Sequence, residues 1–534
     1  MTTPASDRTP KTRPGRRMRA VGAALAGTVL AGLAGGLTIA ASAVPAPASL
    51  GAGSAPSVDV PTADAVRACP GPARLLSGTP VQGDPQFSPA SRTARTQVSG
   101  IVLSDTQGTL PDVALGPQGK APLKSSAGQK VPAGTVAQPR AAAIAGQGVD
   151  ARTLLTAKPL AGAPASTGAL TRFEAGDGDL RGLATATCTA PTNDQWLLGA
   201  ETTVGRTSVL TLTNPSSSPA TVDLEFFGDK PLTQAPPSSR GLQVKPGSSA
   251  SYVLSGYMPG QANVSVHVRS TGAPVAAVIQ QSTLRGLTPG GVELITPAAA
   301  PAPRQTVTGI ELQDPGRSKD LTAKSGYGDA GAAVQITVPG AADAVVQLRV
   351  YGSNGAVQLP AGGVVTAKAG TVTEVPLDGL PAGTYSVSAT ADVSFTASAR
   401  VPRGLSADEP LDTAVTAAAQ RIGDSHVVTV GQGSGSRQIV FGVPDGRAQI
   451  RAVPVTEDGA FHSPVSLDVA GGTTAVLDAP EKVDGSRLTG YLLSASGDPA
   501  YGSLLFKGDG NAISAATIVA AAEGTRSLPV TVGY

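Results

Sequence analysis

The 534-residue sequence predicts an all-β fold, tandem immunoglobulin-like β-sandwich domains behind an N-terminal membrane segment, and three observations carry that reading. A three-block β pattern recurs three times between residues 209 and 508, which marks an array rather than one catalytic domain. Inside the blocks apolar and polar residues alternate: Val222, Leu224 and Phe226 face one way, Thr221, Asp223 and Glu225 the other, as in a sheet with one wet face. Gly 66 and Pro 45 supply turn residues at a density that suits many short strands and excludes a mainly helical chain. Roughly seven strands per 100–120 residues fit a two-sheet sandwich. A β-propeller-like array is the alternative, although blades of about 40–50 residues are shorter than this period.

Block one is an alternating strand that runs into proline at 209–215, 333–339 and 438–444. A second strand starts at Ala220, Ala344 and Ala448. Block two, from Leu242, Val364 and Val465, is a short strand ending in a Gly turn, and block three, from Ala262, Gly383 and Ser486, is a hairpin. If the block-one strands are equivalent, Leu210, Val334 and Ile439 occupy matching buried levels of separate cores. Units of an array contact mainly their neighbours, so damage to one is expected to melt one.

Taken in order, residues 1–19 form a basic cytoplasmic n-region with Arg8, Lys11, Arg13, Arg16, Arg17 and Arg19. Residues 20–44 are uncharged and long enough to cross a bilayer, either as a transmembrane anchor or as a signal peptide. The rest is therefore expected outside the cytoplasmic membrane, tethered as a single-pass protein or secreted after cleavage near Ala43, behind Ala41-Ser42-Ala43. Arg16-Arg17 lacks the apolar pair that follows a twin-arginine signal. Residues 45–66 read as a Pro/Ala/Ser-rich stalk, 67–187 as an irregular N-terminal β region, and 188–298, 299–405 and 406–534 as sandwich repeats one to three. The segment 413–422 reads equally as a short helix or an Ala-rich strand. Leu180-Arg-Gly-Leu183 recurs as Leu284-Arg-Gly-Leu287 and, shortened, as Arg403-Gly-Leu405, which leaves open that 67–187 is a degenerate copy of the repeat.

Candidate chemistry is sparse. Cys69 and Cys188 are the two cysteines, and an even number on the exported side reads as a disulfide. The formal net charge is +2, with the basic excess in residues 1–44 and no basic stripe with interleaved aromatics elsewhere, so nucleic acid is not an expected partner. His267, His426 and His462 fall in different parts of the repeats, where a shared metal site or a triad would require convergence across domains. Asp424-Ser425-His426 is no triad, because neighbours in a strand point to opposite faces. Gly431-Gln-Gly433-Ser-Gly435 runs into a strand where a phosphate loop needs a helix, and reads as a hairpin loop. Glu174, Asp177 and Asp179, and Asp509 with Asn511, complete no EF-hand and read as solvated turns. Trp196 lies in an alternating apolar run soon after Cys188 and reads as core packing beside the disulfide rather than a sugar platform. No catalytic, cofactor-binding or metal-ligating residue is assigned.

The motifs Cys188-Thr-Ala-Pro191, Asp194-Gln-Trp196-Leu-Leu-Gly199, Leu210-Thr-Leu-Thr-Asn-Pro215 and Ala220-Thr-Val222, with Cys69-Pro-Gly-Pro72 and the N-terminal segment, resemble the actinobacterial family of exported proteins of unknown function called DUF5719. The resemblance covers most of the chain from Cys69 onward. Its motifs are structural, so it transmits no catalytic residues, and the third repeat departs from it at Asp445-Gly446. Members of the family tend to be encoded beside membrane glycosyltransferases, which implies an envelope role by association. The function expected is that of a non-enzymatic envelope protein, a scaffold or accessory factor for surface-polymer assembly whose partners are the membrane and a membrane glycosyltransferase or envelope polysaccharide. A secreted adhesin or glycan-binding module is the alternative, and a hydrolase with its site in 67–187 the remote one.

Overall fold

Alternation dictates the strands: in Arg206–Asn214 and Ala220–Phe227 nearly every second position is buried, Leu210, Leu212, Val222, Leu224 and Phe226 among them, and most of those between are not. The computed structural model describes residues 57–59, 62–521 and 527–529, apart from 77, 80–87, 132–137, 161, 233, 235 and 361. The basic region, the apolar segment 20–44 and most of the stalk lie outside the described residues. Among the described residues no helix is long and apolar enough to cross a membrane. The chain divides into two compact units, residues 1–60 with 525–534 and residues 61–524. Within the first, Ser57–Asp59 pairs antiparallel with Ser527–Pro529.

The second unit is all-β and repeats one strand plan four times. The plan is clearest in Asp194–Ala200, Arg206–Asn214, Ala220–Phe227, Leu242–Val244, Ser248–Val253, Val264–Gly272, Ala276–Arg285 and Thr288–Ile295. These eight strands form two four-stranded antiparallel sheets of order 1-6-3-4 and 5-2-7-8. The next module has the same order from Ala302–Leu312 to Asp412–Ala417, its sixth and seventh strands being the two halves of Gly383–Arg403, which passes from one sheet into the other. The last runs from His426–Thr429 to Ile513–Thr517.

Region 67–187 carries the plan as well. Ala65–Cys69, Thr153–Ala157, Val113–Gly116 and Lys124–Ser126 make its 1-6-3-4 sheet, and Ala141–Gly148, Arg95–Leu103, Thr167–Ala175 and Gly182–Thr187 its 5-2-7-8 sheet. It is irregular in sequence and a full module in structure. The Arg-Gly-Leu recurrences all fall at the turn between a seventh and an eighth strand. Two sequence readings need correction. Asp412–Ala417 pairs with 398–403, so the boundary at 405 falls one strand early, and that part of 413–422 is strand. The loop Gly431–Gly435 joins strands of different sheets, so it is an arch rather than a hairpin.

Leu210, Val334 and Ile439 are fully buried, each in a different core cluster. Truncating Leu210 or Ile439 to Ala is expected to cost about 2–5 kcal/mol, and Val334 less, read as a shift in chemical denaturation. The linear array of the sequence reading gives way to a closed ring. The core of the third module continues into Val440, Leu505 and Ile513 of the fourth, and that of the fourth into Leu170 and Leu183 of the first. Val292 and Leu294 of the second pack with Phe173 and Ala184 of the first, and Val415 of the third joins the core of the second. Melting of one module alone is therefore not the expected response to damage at these shared contacts.

Candidate functional site

The four eighth strands, Gly182–Thr187, Thr288–Ile295, Asp412–Ala417 and Ile513–Thr517, meet where the ring closes. Each is the edge of its sheet, and an edge presents a row of unpaired N–H groups. Here small side chains (Ala, Ser, Thr, Gly) let the strands approach, and two carboxylates take up the N–H groups in two layers. Asp412 accepts from the N–H of Leu183 at 2.9 Å, Val292 at 3.2 Å, Ile513 at 3.0 Å and its neighbour Thr413 at 2.9 Å. One carboxylate thus binds one N–H from each module.

Two residues further along each strand, Glu293 repeats the device. It accepts from the N–H of Leu294 at 2.9 Å, Val415 at 3.4 Å and Ala515 at 3.3 Å, and from the Ser514 hydroxyl at 2.8 Å. The Ser514 oxygen in turn accepts the N–H of Thr185 at 2.8 Å. Glycine is required at two places: a Cβ on Gly291, whose φ is +106°, would lie 2.1 Å from an Asp412 oxygen, and one on Gly182 3.1 Å from both. Burial pushes the Asp412 carboxyl up to about 7 against the pull of its N–H donors, and burial, with Asp412 adding to it, raises Glu293 well above the usual carboxylate range.

A second buried polar cluster joins the second and third modules. Arg206 pairs with Glu201 at 3.4 Å and with Asp329, Arg285 with Asp329 at 2.7 Å, and Arg400 with Glu374 at 2.9 Å and Glu201 at 3.7 Å. Burial pushes Glu201 up to about 7. None of these residues stands out in the sequence, because their partners lie on other strands.

The three histidines do not converge. His267 is stacked on Trp196 at 4.0 Å between ring centroids, with its ring nitrogens 3.0 Å from Asp194 and 3.2 Å from Glu225. His426 accepts the Gly423 N–H on Nε2 and donates from Nδ1 to the Val519 carbonyl, both at 3.0 Å, and burial lowers its pKa. His462 lies 2.7 Å from Asp484 and 2.9 Å from the Thr456 hydroxyl. Carboxylate, imidazole and hydroxyl thus stand in triad order, a constellation absent from the sequence reading because its members lie on a strand end and two turns. The hydroxyl, however, is fully buried and also 2.6 Å from Asp458, which leaves a substrate carbonyl no approach.

The remaining sequence candidates are structural. Trp196 is 5% exposed and packs with Leu198, Phe227 and Val372, a cluster separate from the disulfide core, so it is buried as expected among different neighbours. Asp177 accepts from the hydroxyls of Ser91 and Thr93 and from the N–H of Arg92 and Thr93, which holds its pKa below the usual range; it sits in the turn the sequence predicts and from there pins the loop at 91–93. Glu174 pairs with Arg95 and Arg172. Among the described residues no group of three or more His, Cys, Asp or Glu is placed to hold a metal ion. Cys69 and Cys188 are disulfide-bonded. A cleft of about 930 Å³ opens between the first and fourth modules and is lined by Gln129, Arg140, Arg451, Glu457, Phe461 and His462 among others.

Compared with known proteins, residues 143–480 match the family described as "Family of unknown function (DUF5719)". No curated protein and no solved structure matches.

Proposed function

The chain belongs to the DUF5719 family, and from that premise we propose that it is a non-enzymatic exported cell-envelope protein, a scaffold or accessory factor for surface-polymer assembly. On this reading it is tethered through 20–44 or released near Ala43, and each module is an immunoglobulin-like sandwich in its layering and size. The observation that supports a scaffold is the use of buried charge. Asp412, Glu293 and the Glu201–Arg206–Arg400 cluster bind module to module, which favours a rigid platform over a set of independently moving domains. The cleft beside Phe461 and Arg451 favours a second reading, an adhesin or glycan-binding module, since an aromatic face with amide and charged groups suits a sugar polymer.

The non-enzymatic reading has a direct test. Replacing His267, His426 and His462 together by Gln is expected to leave the in vivo phenotype intact where circular dichroism shows a native fold. A folded triple variant that behaves like a deletion strain would refute it. Crosslinking in intact cells separates the two readings: a membrane glycosyltransferase partner supports the scaffold, and a polysaccharide retained on the purified chain supports the binder.

A further inference from the structure

The seam between the first and second modules holds two adjoining cavities, about 570 and 230 Å³, and Arg152 lines both. Among the described residues no Asp or Glu lines either one. The wall on the first-module side is fixed. Gln280 of the second module accepts the Arg74 N–H and donates to the Arg74 carbonyl, both at 2.8 Å, and the Arg74 guanidinium donates to the Asp150 carbonyl at 2.9 Å. Gly71 brings this segment directly onto the 151–152 turn, where a Cβ would lie 2.7 Å from the Arg152 nitrogen.

Arg152 itself makes no hydrogen bond or ion pair among the described residues, and its electrostatic neighbour is another cation. Burial first, and the Arg74 guanidinium second, lower its pKa. Two guanidiniums lining one cavity repel each other, and what relieves that repulsion is an anion, which the planar guanidinium fork binds through paired N–H groups. The remaining walls are divided. Leu75, Leu76, Val209, Val253 and Val278 make one apolar side, and the Thr211 and Ser251 hydroxyls, 2.9 Å apart, lie next to it.

We propose that this seam binds an amphipathic anion, its phosphate or carboxylate group held by Arg74 and Arg152 and its apolar portion laid on Val209, Val253 and Val278. The proposal goes beyond the scaffold reading and does not depend on it, because Arg74, Arg152, Val209 and Val253 belong to none of the buried clusters that close the ring; Val278 alone of the proposed contacts packs against one. The ligand class follows from the lining: a fully polar anion would leave the valines in water, and a neutral amphiphile would leave the Arg152 guanidinium without a counter-charge.

Isothermal titration of the exported chain with octyl phosphate, octanoate, inorganic phosphate and octyl glucoside, each below its aggregation limit, tests it. Octyl phosphate or octanoate is expected to bind at least about tenfold more tightly than inorganic phosphate or octyl glucoside, with affinity falling as salt rises. Whichever of the first two binds better identifies the anionic group. Arg152→Gln, an exposed substitution that leaves the fold intact by circular dichroism, is expected to weaken binding about tenfold or more, and Val253→Asp to do the same from the apolar side. Equal binding of octyl glucoside, tighter binding of inorganic phosphate, an unchanged affinity in Arg152→Gln, or no binding by the native chain would each overturn the assignment.

Discussion

Replacing Asp412 by alanine is expected to destabilise all four modules together. The substitution leaves the N–H groups of Leu183, Val292, Thr413 and Ile513 buried without an acceptor. Each such loss costs about 1–3 kcal/mol, so the sum, at least about 4 kcal/mol, is a large fraction of the roughly 5–15 kcal/mol by which folded proteins are stable. Limited proteolysis should show protection lost across 95–517 at one denaturant concentration. If cleavage stays confined to the third module, the central carboxylate does not join the ring.

The same residue sets a pH dependence whose sign follows from burial. Its folded pKa is raised to about 7, above the value of about 3.9 for an unfolded Asp. The stabilisation is therefore fully present below about pH 4 and is lost as pH rises toward 7, by roughly 4 kcal/mol over about three units. Glu293, raised for the same reason, adds to the fall. Asp412→Ala should be the less stable protein at every pH and should show a shallower decline over that window.

How far the sequence reveals this follows from what each strand touches. Strands with one wet face alternate, and Thr221 through Phe226 announce themselves. Gly182–Thr187, Asp412–Ala417 and Ile513–Thr517 are buried on both faces and built from small residues, so they carry no period, and 413–422 reads as helix or strand alike. The first module hides for another reason: Val113–Gly116 and Lys124–Ser126 are four and three residues long, too short for alternation to register. Ring closure leaves one local trace, the unbroken apolar run Ile439-Val440-Phe441, in which Val440 faces the third module while Ile439 and Phe441 face their own core. Asp412 and Glu293 are invisible as a site because, apart from the N–H of the next residue, the backbone N–H groups they bind come from strands more than 100 residues away.

Removing the Cys69–Cys188 bond is the second large effect expected. The bond joins residues 119 apart, and closing a loop of that length is worth up to about 4–5 kcal/mol in the chain-entropy model. Its position adds leverage. Cys69 ends the first strand of one sheet of the first module, and Cys188 directly follows the eighth strand of the other, beside the backbone bridge between Ala68 and Thr189. Both cysteines are buried in the core of that module, so the bond fixes the separation of its two sheets. That eighth strand also delivers the Leu183 and Thr185 N–H groups to the central carboxylate layers. Replacing both cysteines by alanine is therefore expected to lower stability by several kcal/mol and to raise the sensitivity of the ring centre to proteolysis, not only that of the first module. Mass spectrometry of unreduced peptides should recover the two cysteines in one crosslinked species. Ready alkylation of both thiols in the native chain would show that the bond does not form, and the stability difference between the native and double-alanine proteins should then shrink to that of small packing changes.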